Sequence, residues 1–211
     1  MAFPAKVERW RAPLQAAGGS IPVEFMLAWI EHESGGRAAL PVSSIGERGI
    51  FQIHPSEAEK IGLSASEFTA LTSDAAVSEN VAAGVKLVKY YMTQANTLLS
   101  KVGASWAPGS FWTLVKLFHG APAVAKEGVV AVTKYLGRAP QDWAEFYRSL
   151  PNVVLANDKA QRIKDKVTGN ATEIAQKAGL STVGKAVSGI GVALVIGVLA
   201  FFGYRWFKGR A

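Results

Sequence analysis

Apolar residues recur at helical spacing along most of this 211-residue chain. In the run PVEFMLAWIEHE, Phe25, Met26, Trp29 and Ile30 share one face. Pro22 suits the start of that helix, because its missing N–H would be unpaired there anyway. Gly35-Gly36 is a strong stop. The longest pattern covers 74–99, with Val77, Val81, Val85, Val88 and Met92 in one stripe. Further helices are expected over 111–118, 122–136, 141–150 and 157–167, with a short helix or linker at 171–177. Ser64 and Glu67 form a capping-box pattern ahead of a short helical turn at 66–71. Pro55 opens another short helix, and 4–11 reads as a short helix or arm ended by Gly18-Gly19-Ser20. The stretch 38–53 breaks the period. Pro41, Gly46 and Gly49 interrupt it, and turns with a small β-hairpin ending in Ile50-Phe51-Gln52-Ile53 are expected. No period of 20–50 residues repeats, which excludes a solenoid.

A different pattern closes the chain. Residues 186–204 contain no charged side chain, and Arg205, Trp206, Lys208 and Arg210 follow at once. About 20 apolar residues cross a bilayer core, so this run is long enough to span. Gly189, Gly191, Gly197 and Gly203 are tolerated in a membrane helix, and Trp206, Phe207 and the basic residues suit its interface. The expected organisation is an N-terminal arm or short helix (1–19), a helical domain (20–168), a linker (169–184), a transmembrane helix (185–207) and a basic tail (208–211). The fold class expected is mostly α with a minor β element, an α+β domain with a small β-hairpin followed by a C-terminal transmembrane helix.

Composition narrows the chemistry. The net charge of +7 comes from Lys and Arg scattered singly. A nucleic-acid partner would call for a concentrated basic face, so specific nucleic-acid binding is not expected. A general attraction to anionic surfaces such as a bacterial envelope is the milder inference. The absence of cysteine excludes disulfides, thiol catalysis and cysteine metal sites. His32, His54 and His119 follow no HExxH or related spacing, so neither a metal nor any other cofactor is expected. Residues 1–11 mix Lys6, Glu8, Arg9 and Arg11 with isolated apolar residues and lack the apolar core of a secretory signal.

The residues that carry chemistry are Glu33-Ser34-Gly35-Gly36 and the run from Ser43 to Ile53. Glu33 lies at the C-terminal end of an apolar helix. The negative end of the helix dipole and partial burial both disfavour its charged form there. A carboxyl group kept protonated is what a general acid acting on a glycosidic oxygen requires. The glycines beyond it leave room for a bulky polymer, and Gln52 on the expected hairpin supplies an amide donor or acceptor.

These motifs resemble those of the soluble lytic transglycosylases, lysozyme-like enzymes related to goose-type lysozymes. That family's signature is a helix ending in Glu-Ser, then Ser-x-x-Gly-Ala-x-Gly-Leu-Met-Gln-Ile and a Pro. Glu33-Ser34 matches the first element; Ser43, Gly46, Gly49, Gln52, Ile53 and Pro55 match the second at its usual offsets. Ile50 and Phe51 replace Leu-Met conservatively, while Glu47 stands where the family mostly has Ala. Asn80-Val81-Ala82-Ala83-Gly84 is similar to the family's Asn-Ile-x-x-Gly element. The third element, Ala-Tyr-Asn-Ala-Gly-Pro-Gly, is degenerate: Phe118 replaces the tyrosine and His119 the asparagine.

The resemblance covers roughly residues 20–150. It implies a lysozyme-like domain that cleaves the β-1,4 bond between N-acetylmuramic acid and N-acetylglucosamine in peptidoglycan. Glu33 would act as acid and then as base while a 1,6-anhydro ring closes. Ser34, Ser43, Gln52 and Asn80 are the candidate substrate-binding residues, with His119 or Tyr135 standing in for the missing tyrosine. Glu47 is the candidate second carboxylate of a hydrolytic mechanism, or a hairpin residue paired with Arg48 or Arg37. Trp106, Phe111 and Trp112 are either core or sugar-stacking aromatics. Two alternatives stay open, a lysozyme-type hydrolase and a non-catalytic glycan-binding or structural module of an envelope-spanning assembly. The expected partners are peptidoglycan strands, a bilayer through the C-terminal helix, and phage virion or secretion-machine proteins. The expected setting is a bacteriophage particle that delivers the enzyme to the host envelope for local wall penetration.

Overall fold

The computed structural model describes residues 2–150. Nine helices form within them: α1 (Ala5–Glu8), α2 (Arg11–Gly18), α3 (Val23–Ser34), α4 (Pro55–Lys60), α5 (Ala65–Ala70), α6 (Val77–Lys101), α7 (Pro108–Gly120), α8 (Pro122–Leu136) and α9 (Trp143–Ser149). Local chemistry sets several of the ends. Gly35 caps α3 in the left-handed conformation, with its N–H donating to Glu31 O at 3.1 Å. Ser64 and Glu67 close the expected capping box of α5. His54 does the same for α4 in an uncommon form: its Nδ1 accepts from Ser56 N at 3.2 Å while Glu57 Oε2 accepts from His54 N at 2.8 Å. Pro55 fills the first helical position of α4, as it also does through Pro108 and Pro122 in α7 and α8.

The expected α+β class and its β-hairpin are not what the chain adopts: among the described residues there is no strand, and the fold is helical throughout. Residues 38–53 form a coiled loop closed by one antiparallel bridge, Arg48 with Ile53. Arg48 N donates to Ile53 O at 3.0 Å and Ile53 N donates to Arg48 O at 2.9 Å. The reason lies in the backbone. Gly46, Gly49 and Gln52 have φ of 87°, 75° and 49°, and left-handed residues so close together leave no extended run to pair. Ile50, Phe51 and Ile53 read as strand residues because they are branched or aromatic. Their burial, with 0%, 1% and 2% exposure, is that of a core-filling loop.

The chain divides into two compact units, one through Tyr90 and one from Tyr91. In the first, α1 and α2 pack on α3. Its core stacks aromatic edges onto faces: Phe25 with Trp29 at 5.6 Å and Trp29 with Phe51 at 5.8 Å. Such pairs add about 0.5–1.5 kcal/mol each beyond their burial. The expected arm, 1–19, forms α1 and α2, and buries Val7, Trp10 and Leu14. In the second unit α7 packs on α8 and α9, and α8 on α9. Gly128 permits the α8–α9 approach, since a Cβ there would lie 3.3 Å from Phe146 Cζ. No helix of the described residues is long and apolar enough to cross a membrane. The expected helix at 157–167, the linker, the transmembrane segment at 185–207 and the basic tail lie outside the described residues.

Candidate active site

Glu33 occupies the last turn of α3, next to the buried Ser34, and its own side chain is half-buried. The apolar residues of α3 fix the helix in the core, and Gly35 ends it one residue beyond Ser34. Glu33 is therefore carried on a rigid element while the backbone turns away immediately afterwards.

Ser34 holds that turn together. Its Oγ lies 2.9 Å from Ile50 O and 3.1 Å from Ile30 O, and it accepts from Gly36 N at 3.2 Å. With 3% exposure it is a buried link between α3 and the 43–53 loop. Asn80 completes the link from α6. Its Oδ1 accepts from Ile50 N at 3.1 Å, and its Nδ2 donates to Leu71 O at 3.1 Å and to Ala76 O at 3.0 Å. Both backbone polar groups of Ile50 are thus met by side chains, one from each helix. Buried backbone groups outside regular structure must be satisfied in this way.

Gly84 lies one helical turn beyond Asn80 on the same face of α6. A Cβ at Gly84 would sit 2.0 Å from Phe51 Cε2, so the ring packs on bare helix backbone. The Asn80-to-Gly84 spacing consequently docks two successive loop residues, Ile50 by hydrogen bond and Phe51 by contact. Gly49 is equally confined, because a Cβ there would meet Asn80 Oδ1 at 2.6 Å.

Gln52 is the one non-glycine residue with positive φ among the described residues. Such a conformation costs roughly 1–3 kcal/mol and persists only where its surroundings enforce it. The side chain folds back, donating from Nε2 to Gly49 O at 2.8 Å, and is 8% exposed. Ser43 shapes the other end of the loop: its Oγ accepts from Glu47 N at 2.9 Å, and its carbonyl accepts from Gly46 N at 2.8 Å. Glu47 is half-buried on this turn. Arg37 Nε donates to Ser34 O at 3.4 Å, and the Arg48 guanidinium lies 5.0 Å from the centre of the Phe68 ring.

The first unit therefore gathers Glu33, Ser34, Ser43, Gln52 and Asn80 around one loop. His119 and Tyr135 belong to the second unit. His119 meets Tyr91 edge-on at 5.9 Å, beside Phe118, which stacks on the same ring at 6.4 Å. Tyr135 is 54% exposed near the end of α8. Trp106 and Trp112 are buried, and Trp106 Nε1 donates to Pro140 O at 2.7 Å, which is core packing. Phe111 is half-buried and meets Trp112 edge-on at 5.3 Å.

Sequence reasoning passed over Arg9, Trp10 and Asp74. Arg9 and Trp10 donate to Gly36 O at 3.2 and 2.9 Å. Asp74 pairs with Arg9 and accepts from Ala38 N at 3.2 Å, and the Arg9 guanidinium holds its carboxyl below the ordinary range. The usable signal was a tryptophan and an arginine set in a short amphipathic segment ahead of the motif.

Residues 14–113 match the family model of the Transglycosylase SLT domain. That segment is similar to the SLT domain, which is consistent with the lytic transglycosylase superfamily. It includes α3, the 43–53 loop and α6, and ends within α7 before Phe118 and His119. No curated protein and no solved structure matches the chain.

Proposed function

We propose that this protein is a peptidoglycan lytic transglycosylase with Glu33 as its acid and base. Glu33 protonates the glycosidic oxygen between N-acetylmuramic acid and N-acetylglucosamine, and the bond from that oxygen to the muramoyl C1 breaks. The resulting carboxylate takes the proton of the muramoyl C6 hydroxyl as O6 bonds to C1. The products are a 1,6-anhydro end and a free N-acetylglucosamine hydroxyl, and Glu33 is protonated again. One carboxyl group serves both steps, whereas most glycosidases use two.

The observation that carries this reading is the fixation of the helix end bearing Glu33. Ser34, beside it, and Asn80, from a second helix, hold the two backbone groups of Ile50 in the loop that bears Gln52. A preorganised acid on a rigid element is what proton transfer in the transition state needs. Glu33→Gln keeps size and removes the proton, so cleavage of purified peptidoglycan should fall by at least ~10²–10⁴-fold with helical content unchanged. Near-full activity of the folded variant would remove Glu33 from the mechanism. The charge-free run 186–204 is proposed as a bilayer anchor, and a virus particle as the route of delivery. Fusing 182–211 to a soluble reporter should bind it to membranes; a reporter left in solution would reject the anchor.

A further inference from the structure

Two side chains of the first unit converge on one peptide carbonyl. Gly36 O accepts the indole N–H of Trp10 at 2.9 Å and the guanidinium of Arg9 at 3.2 Å. Gly36 has φ of 78°, and a Cβ there would lie 2.2 Å from Lys6 O and 2.7 Å from Val7 N. The backbone of α1 thus rests directly on the turn that follows Glu33. The N–H of Gly36 donates to Ser34 Oγ at 3.2 Å. Two residues on, Ala38 N is tied to Asp74, which pairs in turn with Arg9.

The segment doing this precedes residue 14, where the SLT match begins. Trp10 is 1% exposed, and Arg9 lies over its ring at 4.8 Å, so the pair forms one stacked unit. A buried tryptophan can meet the core anywhere. This one directs its only side-chain donor to the carbonyl of Gly36, two residues past the end of α3 at Ser34. We propose that residues 4–10 act as a clamp on the active-site turn, with Trp10 and Arg9 as positioning residues for Glu33. Without the clamp the turn after α3 can rotate, and the acid loses its aim while substrate contacts elsewhere persist. This inference rests on the transglycosylase reading of Glu33.

The test uses the full chain in detergent and soluble glycan strands prepared from peptidoglycan. Trp10→Phe keeps an aromatic ring and removes the donor. Its kcat should fall about 10-fold at unchanged KM, since small misplacement of a reacting group is expensive in rate. Arg9→Met, with the longer bond, should give the same pattern at a smaller size, and Arg9→Lys should restore most of it. Arg9 is partly exposed, so these two variants keep the test open if Trp10→Phe does not fold. Because Ser34 and Trp10 hold the two backbone polar groups of one residue, Gly36, Ser34→Ala and Trp10→Phe should combine less than additively in kcat. Unchanged kcat in folded Trp10→Phe and Arg9→Met proteins, with Glu33→Gln inactive, would overturn the clamp alone. Full activity of Glu33→Gln would overturn the transglycosylase reading and the clamp with it.

Discussion

Asn80→Ala offers the sharpest test of how the site is held. Asn80 is 2% exposed and makes three side-chain hydrogen bonds, to Ile50 N, Leu71 O and Ala76 O. Ala76 O keeps a partner after the substitution, because the backbone N–H of residue 80 already donates to it at 3.1 Å. The other two groups are left stranded. A buried polar group without a partner costs about 1–3 kcal/mol, so the pair costs about 2–6 kcal/mol. Alanine returns about 0.5 kcal/mol of helix propensity, which is too little to alter the sign. The net loss is comparable with much of a typical domain's stability of about 5–15 kcal/mol. Urea unfolding of the full chain measures it, and hydrogen exchange at the Ile50 amide locates it. That amide should lose protection well before the amides of α3. Asn80→Asp adds a sign. It keeps the acceptor for Ile50 N but sets a carboxylate oxygen against Leu71 O, so its folded-state pKa rises above the unfolded value. The folded protein then binds the extra proton, and the deficit should shrink as pH falls through that raised pKa. A loss under 1 kcal/mol with Ile50 exchange unchanged would refute the docking role of Asn80.

Two further variants probe the same physics elsewhere. Gly84→Ala should destabilise the protein despite alanine's advantage of about 1 kcal/mol in a helix. Its Cβ would enter the Phe51 ring at 2.0 Å, and overpacking costs about 1–3 kcal/mol or more. A rise in Tm would show that Phe51 has room to move. Glu145 accepts from Arg138 and from Gln141 N, which lowers its pKa to about 2. A depressed folded-state pKa contributes stability above the unfolded value, and that contribution is lost as pH falls through the folded one. The stability gap between wild type and Glu145→Gln should therefore be open at pH 6 and close near pH 2. A gap independent of pH would reject that pairing.

Much of the helical skeleton was legible because its signals are local. Residues 122–136 form α8 as the Pro and Gly punctuation indicates, and α3 and α5 follow their caps. The stripe on α6 held through Val81, Val85 and Val88, but Val77 is 39% exposed in the first turn. The 43–53 loop departs from the expected hairpin because its side chains obey burial while its φ angles, invisible in composition, forbid a strand. Residue types make Ser34 and Asn80 substrate-binding candidates, and the structure buries both. Their hydrogen bonds to one backbone residue of a distant loop depend on tertiary geometry that no spacing rule encodes. The same holds for Trp10, whose partner is 26 positions away.

Under the proposed function, Glu33 drives ring closure by the muramoyl hydroxyl rather than attack by water. Mass spectrometry of the primary products from purified peptidoglycan tests it directly, with wild type and Glu33→Gln run in parallel. The wild type alone should yield 1,6-anhydro-muramoyl ends, lighter than hydrolytic ends by one water. Reducing N-acetylmuramic acid ends as the primary products would contradict it and make Glu47 the first candidate for a water-activating base. An absence of product from folded wild-type protein would contradict it in favour of a glycan-binding role.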